Sequence, residues 1–392
     1  MKKKRTLLWI LIAIGLYSLS RGVWYNYQSL WLQDNGFSVS TISMLETLSS
    51  LGMVSASIIF FNHITKKRLK NFIVILLFLK LFILTTLFIA NGSGSDTFIK
   101  ILILYDNIIN TEILVSFYPL LTLFKKDDKL YGKKGLIDST MYDIGVMLGC
   151  FFLGKNILLF DMNFNMFLLL SLLIVFVSFI IIKDTTIDNI DEDNVPITSE
   201  LFKFIKNDKL TKLYFNYLFW GQISYYIVCG LKVLLLTNVI GLSVGITSTY
   251  IMIISIVSDI VGIIILKKLT LKNNYLNLLI KFGGRTLLYL LAFLIPNNLT
   301  CIIALSYALL FSNSYSHVTD APYTNRIDDD CQLAFSNVKN MVSYTAKAIG
   351  VFICGLGFTI GIRYTFLMAF ILVLTQMIIA MRCNYLLKEK QS

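Results

Sequence analysis

Along this chain, long apolar runs alternate with short polar or charged connections. A helix that crosses a bilayer needs about 20 apolar residues. By that measure the first run ends near Leu32, and further spans are predicted near 41–62, 71–90, 99–124, 135–156 and 162–182. The second half gives 213–237, 246–266, 275–295, 299–319, 334–358 and 362–386. The pattern therefore predicts about twelve spans, six in each half. The basic patch Met1–Arg5 and the run behind it do not read as a secretory signal. The run is too long, contains Arg21 and has no small-residue cleavage site after it.

The halves echo each other. Gly36-Phe37-Ser38-Val39-Ser40-Thr41-Ile42-Ser43 returns 205 positions later as Gly241-Leu242-Ser243-Val244-Gly245-Ile246-Thr247-Ser248. At the same offset Asp143-Ile144-Gly145-Val146 matches Ala348-Ile349-Gly350-Val351. Asn110-Thr111-Glu112 with Pro119 parallels Asn313-Ser314-Tyr315 with Pro322 at an offset of 203. The sequence reads as one half-length unit written twice. The expected organisation is a six-helix bundle over 1–183, a cytoplasmic linker over 184–210, and a second six-helix bundle over 211–392. Within the linker, Glu200-Leu201-Phe202-Lys203-Phe204-Ile205-Lys206 has the spacing of a short amphipathic helix on the inner membrane surface.

Composition narrows the class. The chain is 56% apolar, 14% aromatic and 15% charged, with a mean hydropathy of +0.72. A soluble domain has roughly 25% charged residues, so a large water-soluble enzyme is disfavoured. The net charge of +12 does not point to nucleic acid, because Lys and Arg gather in alternate loops. One set holds Lys2, Lys3, Lys4 and Arg5, then Lys66, Lys67, Arg68 and Lys70, then Lys125, Lys126, Lys129, Lys133 and Lys134, and continues through the linker to Arg382, Lys388 and Lys390. The opposite set holds only Lys100, Lys155 and Arg363. Such a bias predicts both termini in the cytoplasm of a multi-pass plasma-membrane protein. The six cysteines are scattered without C-x-x-C, and His63 and His317 are the only histidines. No disulfide framework, metal centre or cofactor is expected.

Polar residues inside apolar spans are costly and commonly functional. Tyr17, Arg21, Trp24 and Gln28 are spaced 4, 3 and 4 apart and share one helical face, flanked by Tyr25. The fourth span carries Tyr105, Asp106, Asn110 and Glu112. At similar depth, Arg21 could pair with Glu112 or Asp106. The structural alternative is an arginine that snorkels or ties two helices. The seventh span has Tyr225, Cys229 and Lys232 on one face, and the tenth has Asn313, Tyr315 and His317 in a polar run. Further charges inside spans are Glu46, Lys80, Asp138, Asp143, Asp259, Lys281, Arg285, Lys339 and Lys347. Most of these are read as gate pairs or snorkelling residues.

Twelve spans in two repeats, with both ends inside and a cytoplasmic loop between, resemble the major facilitator superfamily of secondary transporters. That family's loop between its second and third helices reads G-x-x-x-D-R-x-G-R-R. Here Asn62-His63-Ile64-Thr65-Lys66-Lys67-Arg68 keeps the basic end, with Asn62 in place of the acid and no glycines. The arginine motif of drug/proton antiporters is missing from the fourth span, where Asp106 and Glu112 stand instead. Gly145, Gly149 and Gly154 resemble the glycine-rich fifth helix, without its proline. The resemblance implies that helices one, four, seven and ten line a cavity. It implies that helices two, five, eight and eleven join the halves, where Gly145-x-x-x-Gly149 and Gly357-x-x-x-Gly361 would allow close approach.

On this reading the cavity holds Tyr17, Arg21, Trp24, Tyr25, Gln28, Tyr105, Asp106, Asn110, Glu112, Tyr225, Lys232, Asn313, Tyr315 and His317. Glu112 is the expected proton-coupling carboxylate and Asp106 its rival. No P-loop is present, so ATP is not the expected energy source. The expected function is secondary active transport of a small organic solute by alternating access. It would be driven by a proton gradient, as efflux by antiport, in a monomer embedded in lipid. The alternatives are a metabolite uptake permease, or a non-transporting receptor or immunity protein on the same fold. A membrane-embedded enzyme is disfavoured, since no histidine or paired acids have catalytic spacing.

Overall fold

A computed structural model describes residues 2–25, 27–63, 68–90, 95–122, 137, 140–148, 165–185, 208–268, 271–311 and 329–389. The expected linker helix lies outside the described residues, as do Asp138 and most of the inner basic loops. Among the described residues the chain is helical and contains no strand. The helices are α1 (Lys2–Trp24), α2 (Gln28–Asp34), α3 (Val39–His63), α4 (Leu69–Ala90), α5 (Asp96–Thr122), α6 (Asn165–Asp184), α7 (Lys209–Cys229), α8 (Val244–Lys268), α9 (Leu271–Leu294), α10 (Asn298–Leu310), α11 (Asp329–Ile360) and α12 (Ile362–Glu389).

Their starts follow ordinary capping chemistry. Asp208 accepts from Thr211 N at 3.0 Å and so caps α7. Asn297 and Thr300 form a reciprocal capping box at the start of α10. Gly36 and Gly241 take φ of +85° and +80°, a left-handed conformation that glycine adopts without strain. The repeated turn thus has one backbone shape in both copies.

Six stretches among the described residues are long and apolar enough to cross a membrane: Thr6–Asp34, Leu69–Ala90, Met166–Asp184, Lys209–Val239, Val338–Ile360 and Ile362–Leu386. Several present an apolar face outward. On α4, Ile75, Phe78, Phe82 and Ile89 are exposed, spaced as one helical stripe. On α12, Met368, Ile371 and Ile378 are exposed likewise. Apolar stripes of this length suit lipid tails and would be a liability in water.

The chain divides into two compact units, and in both the division cuts through α3 and α8. The first holds residues 1–37, 55–195 and 242–252; the second holds 38–54, 196–241 and 253–392. In the first unit α6 packs against α1 and α4, and α4 against α5. In the second, α12 packs against α7 and α9, and α9 against α10. These helices correspond pairwise at the 205-residue offset, so the two units are packed to one scheme.

The small contacts repeat as well. Gly145 meets α1 so closely that an added Cβ would collide with Leu19 O, and it would lie 2.9 Å from Gly22 Cα. Gly350 meets α7 in the same manner, with Tyr226 Cβ at 2.7 Å and Ile223 O at 2.9 Å from such a Cβ. These glycines are required because a helix backbone fills the space that a side chain would need. Gly145→Val and Gly350→Val should each abolish recovery of monodisperse protein in detergent size exclusion. Gly36→Ala meets nothing within 4 Å and should fold, losing about 1 kcal/mol to backbone strain alone.

Candidate functional site

The first helix of each unit is interrupted. In the first unit α1 ends at Trp24 and the chain resumes as α2 at Gln28. In the second, α7 ends at Cys229 and the chain passes through the single turn Lys232–Leu234 into a π-helical turn, Leu235–Val239. Trp24 and Cys229 are 205 positions apart, so the interruptions coincide in the repeat. Inside a bilayer an interrupted helix releases backbone groups that must find partners. Paired interruptions at matching positions of two repeats are a pointer to a binding site in transporter folds.

Around the first interruption lies a buried polar network. Asp106 of α5 is its hub. Lys80 Nζ of α4 donates to Asp106 Oδ1 at 2.6 Å. Trp24 Nε1 donates to Asp106 Oδ2 at 3.1 Å, and Gln28 Nε2 donates to the same oxygen at 3.4 Å. Asp106 is fully buried and Lys80 is 3% exposed. The carboxylate therefore holds together α4, α5 and both sides of the helix interruption. One turn deeper, Tyr17 OH donates to Asn110 Oδ1 at 2.7 Å.

Of the stripe read on the first span, Tyr17 and Trp24 on α1 and Gln28 beyond the interruption all turn toward α5. Arg21, on the same stripe, lies over the Tyr142 ring at 5.2 Å and within electrostatic reach of Lys80. It does not pair with Glu112. That carboxylate, 3% exposed, accepts from Ser57 Oγ of α3 at 3.1 Å. The two acids of α5 consequently differ in kind. Asp106 is locked by a lysine and two neutral donors, whereas Glu112 is buried beside a hydroxyl. Tyr105 points away from this network and is exposed, while Tyr25 is half-buried.

In the second unit Tyr225 and Lys232 are half-buried on opposite sides of the interruption, so they do not share one continuous helical face as the spacing predicted. Asn313, Tyr315 and His317 lie outside the described residues. Glu46 and Lys347, both in the second unit, form an ion pair at 3.1 Å.

Lys80, Ser57 and Trp31 belong to the network around Asp106 and Glu112 or its edge and were missed as site residues. Trp31 packs edge-on against Trp24 with centroids 5.6 Å apart. The signal for Lys80 was available: 205 positions beyond it stands Arg285, another buried cation at the matching place. Among the described residues no group of three or more His, Cys, Asp or Glu side chains is arranged to hold a metal ion.

No protein-family model and no curated protein matches the sequence. Solved structures do match. The crystal structure of nucleoside transporter NupG is similar over 96% of this chain and 98% of that one, with a TM-score of 0.66 and 12% sequence identity. The chain has the major facilitator fold.

Removing one partner of a buried ion pair strands the other charge. Lys80→Met or Asp106→Leu alone should each cost about 3–5 kcal/mol. The double variant Lys80→Met/Asp106→Leu should cost clearly less than the two singles added together. Thermal unfolding of the purified proteins in detergent checks this.

Proposed function

We propose that this protein is a secondary active transporter of the plasma membrane, moving a small organic solute by alternating access. The observation that carries the reading is the pair of helix interruptions at repeat-equivalent positions, one of them wrapped by a buried, charged network. The likeness in fold to a nucleoside transporter supports the same conclusion. Both termini are cytoplasmic on this reading, the organisation is two bundles over 1–183 and 211–392 joined by 184–210, and the working unit is a monomer in lipid.

The solute is an amphiphilic or zwitterionic compound. Aromatic groups at the first interruption, Trp24, Tyr25 and Tyr27, can cover an apolar surface, while Arg21 offers a planar donor fork. Transport is proton-coupled efflux. Glu112 is the coupling carboxylate, because it is buried without a cationic partner in ion-pair contact among the described residues, whereas Asp106 already has Lys80. A nucleoside is the second reading of the solute, favoured by the fold of NupG, and import is the second reading of direction.

A counterflow screen in proteoliposomes, with amphiphilic cations, zwitterions and nucleosides, tests the proposal. Saturable binding without counterflow for every solute would instead mark a receptor on the same fold. With an active solute in hand, Arg21→Ala should abolish transport at normal membrane levels and Arg21→Lys should retain part of it. Glu112→Gln should lose accumulation driven by an imposed pH gradient yet keep solute exchange, and uphill transport by Glu112→Gln would remove the coupling role. An inward pH gradient driving accumulation inside right-side-out vesicles would assign import.

The orientation is checked separately. Single cysteines at Asn91 and Asn297 should react with an impermeant thiol reagent added to intact cells, and one at Lys129 should react only after permeabilisation.

A further inference from the structure

The two units treat the same buried cation differently. Lys80 and Arg285 stand 205 positions apart, on the corresponding helices α4 and α9, and each is 3% exposed. Lys80 meets the Asp106 carboxylate. The position 205 beyond Asp106 is Phe311, which has no charge to give. There Arg285 Nη2 donates to the carbonyl oxygens of Ala308 at 2.9 Å and Phe311 at 3.0 Å. These carbonyls belong to the C-terminal end of α10, where the helix dipole contributes only a partial negative charge.

Those two bonds occupy one of the three guanidinium nitrogens. Arg285 Nε is buried and has no partner. One turn along α9 the hydroxyl of Tyr289, a fully buried residue, also has no partner, and neither does Thr286 Oγ1. Cys229, at the interruption of α7, and Tyr289 both lie within reach of the Arg285 charge. No carboxylate among the described residues pairs with Arg285. The unsatisfied groups are a guanidinium N–H and two hydroxyls, with a thiol nearby. All can donate, and the only full charge among them is positive. A buried charge left in this condition is costly and is normally compensated.

We propose that the second unit holds a small monovalent anion at Arg285, with Tyr289 and Thr286 as further donors, in the role that the Asp106 carboxylate fills in the first unit. The depth of Arg285 and Tyr289 favours a free ion of the size of chloride or formate over an acidic group carried on a larger solute. The site is separate from the polar network of the first unit and does not depend on transport.

The experiment uses the purified full-length chain in detergent and follows the thermal unfolding midpoint. Sodium chloride is titrated against sodium lactobionate at constant ionic strength, since lactobionate is too large to enter a buried site. The wild-type protein should show a saturable rise of about 2 °C or more with chloride. Phe311→Asp, which supplies the first unit's solution within the chain, should unfold no lower than wild type in lactobionate and should lose the chloride response. Tyr289→Phe should fold normally and need at least about three times more chloride for the same response. Arg285→Gln should lose the response. An identical profile in chloride and lactobionate for the wild type overturns the proposal, and so does an undiminished chloride response in Tyr289→Phe or Arg285→Gln.

Discussion

A charge buried among apolar helices must be matched, and that constraint organises the first unit. Lys80 lies on a helix whose outer face is phenylalanine and isoleucine. It can stay there because Asp106 reaches it at 2.6 Å. Asp106 in turn gathers Trp24 and Gln28, which lie on either side of the break in the first span. The break, the pairing of α4 with α5 and the orientation of the aromatic groups at the interruption all hang on one carboxylate. A buried pair of this kind contributes little net stability over an apolar replacement.

The repeat was legible in the sequence because it is written in short turns and glycines, which tolerate few substitutes. Gly36 and Gly241 need the same left-handed backbone, and Gly145 and Gly350 each meet the first helix of their own unit, α1 and α7. The polar face of the first span was legible for the same reason as any amphipathic helix, from spacing alone. Spacing could not say who faces that stripe. Both Asp106 and Glu112 were candidates for Arg21, and the structure gives Asp106 to Lys80 and Glu112 to Ser57. Sequence order carries no information on which of two acids, six residues apart on one helix, turns toward which neighbour.

The interruptions were hidden for a different reason. Helices usually break at proline, or at glycine with a small polar residue. The first break lies between Trp24 and Gln28, where the sequence carries neither glycine nor proline. The second has Gly230, but Leu231 and Val233–Leu236 beyond it continue the apolar run and mask the change. What marks the first break is tertiary: the Asp106 carboxylate accepts from side chains on both sides of it. At the end of α10 the carbonyls of Ala308 and Phe311 accept from Arg285, whereas α5 continues helical past Asp106 to Thr122. The two corresponding helices differ in that one has a carboxylate at the position where the other has phenylalanine.

The joint between α11 and α12 is a single residue. α11 ends at Ile360, α12 begins at Ile362, and Gly361 between them has φ of +131°, a region open in practice to glycine. Close by, an added Cβ on Gly357 would strike Thr365, so the helices are pressed together right up to the bend. A joint of this length stores no slack. An extra residue inserted at the bend would turn the outward face of α12 by roughly 100°. Length variation during evolution is therefore shut out of this corner, and an epitope or fluorescent insertion that other loops absorb would here turn the lipid-facing stripe of α12 toward its partners.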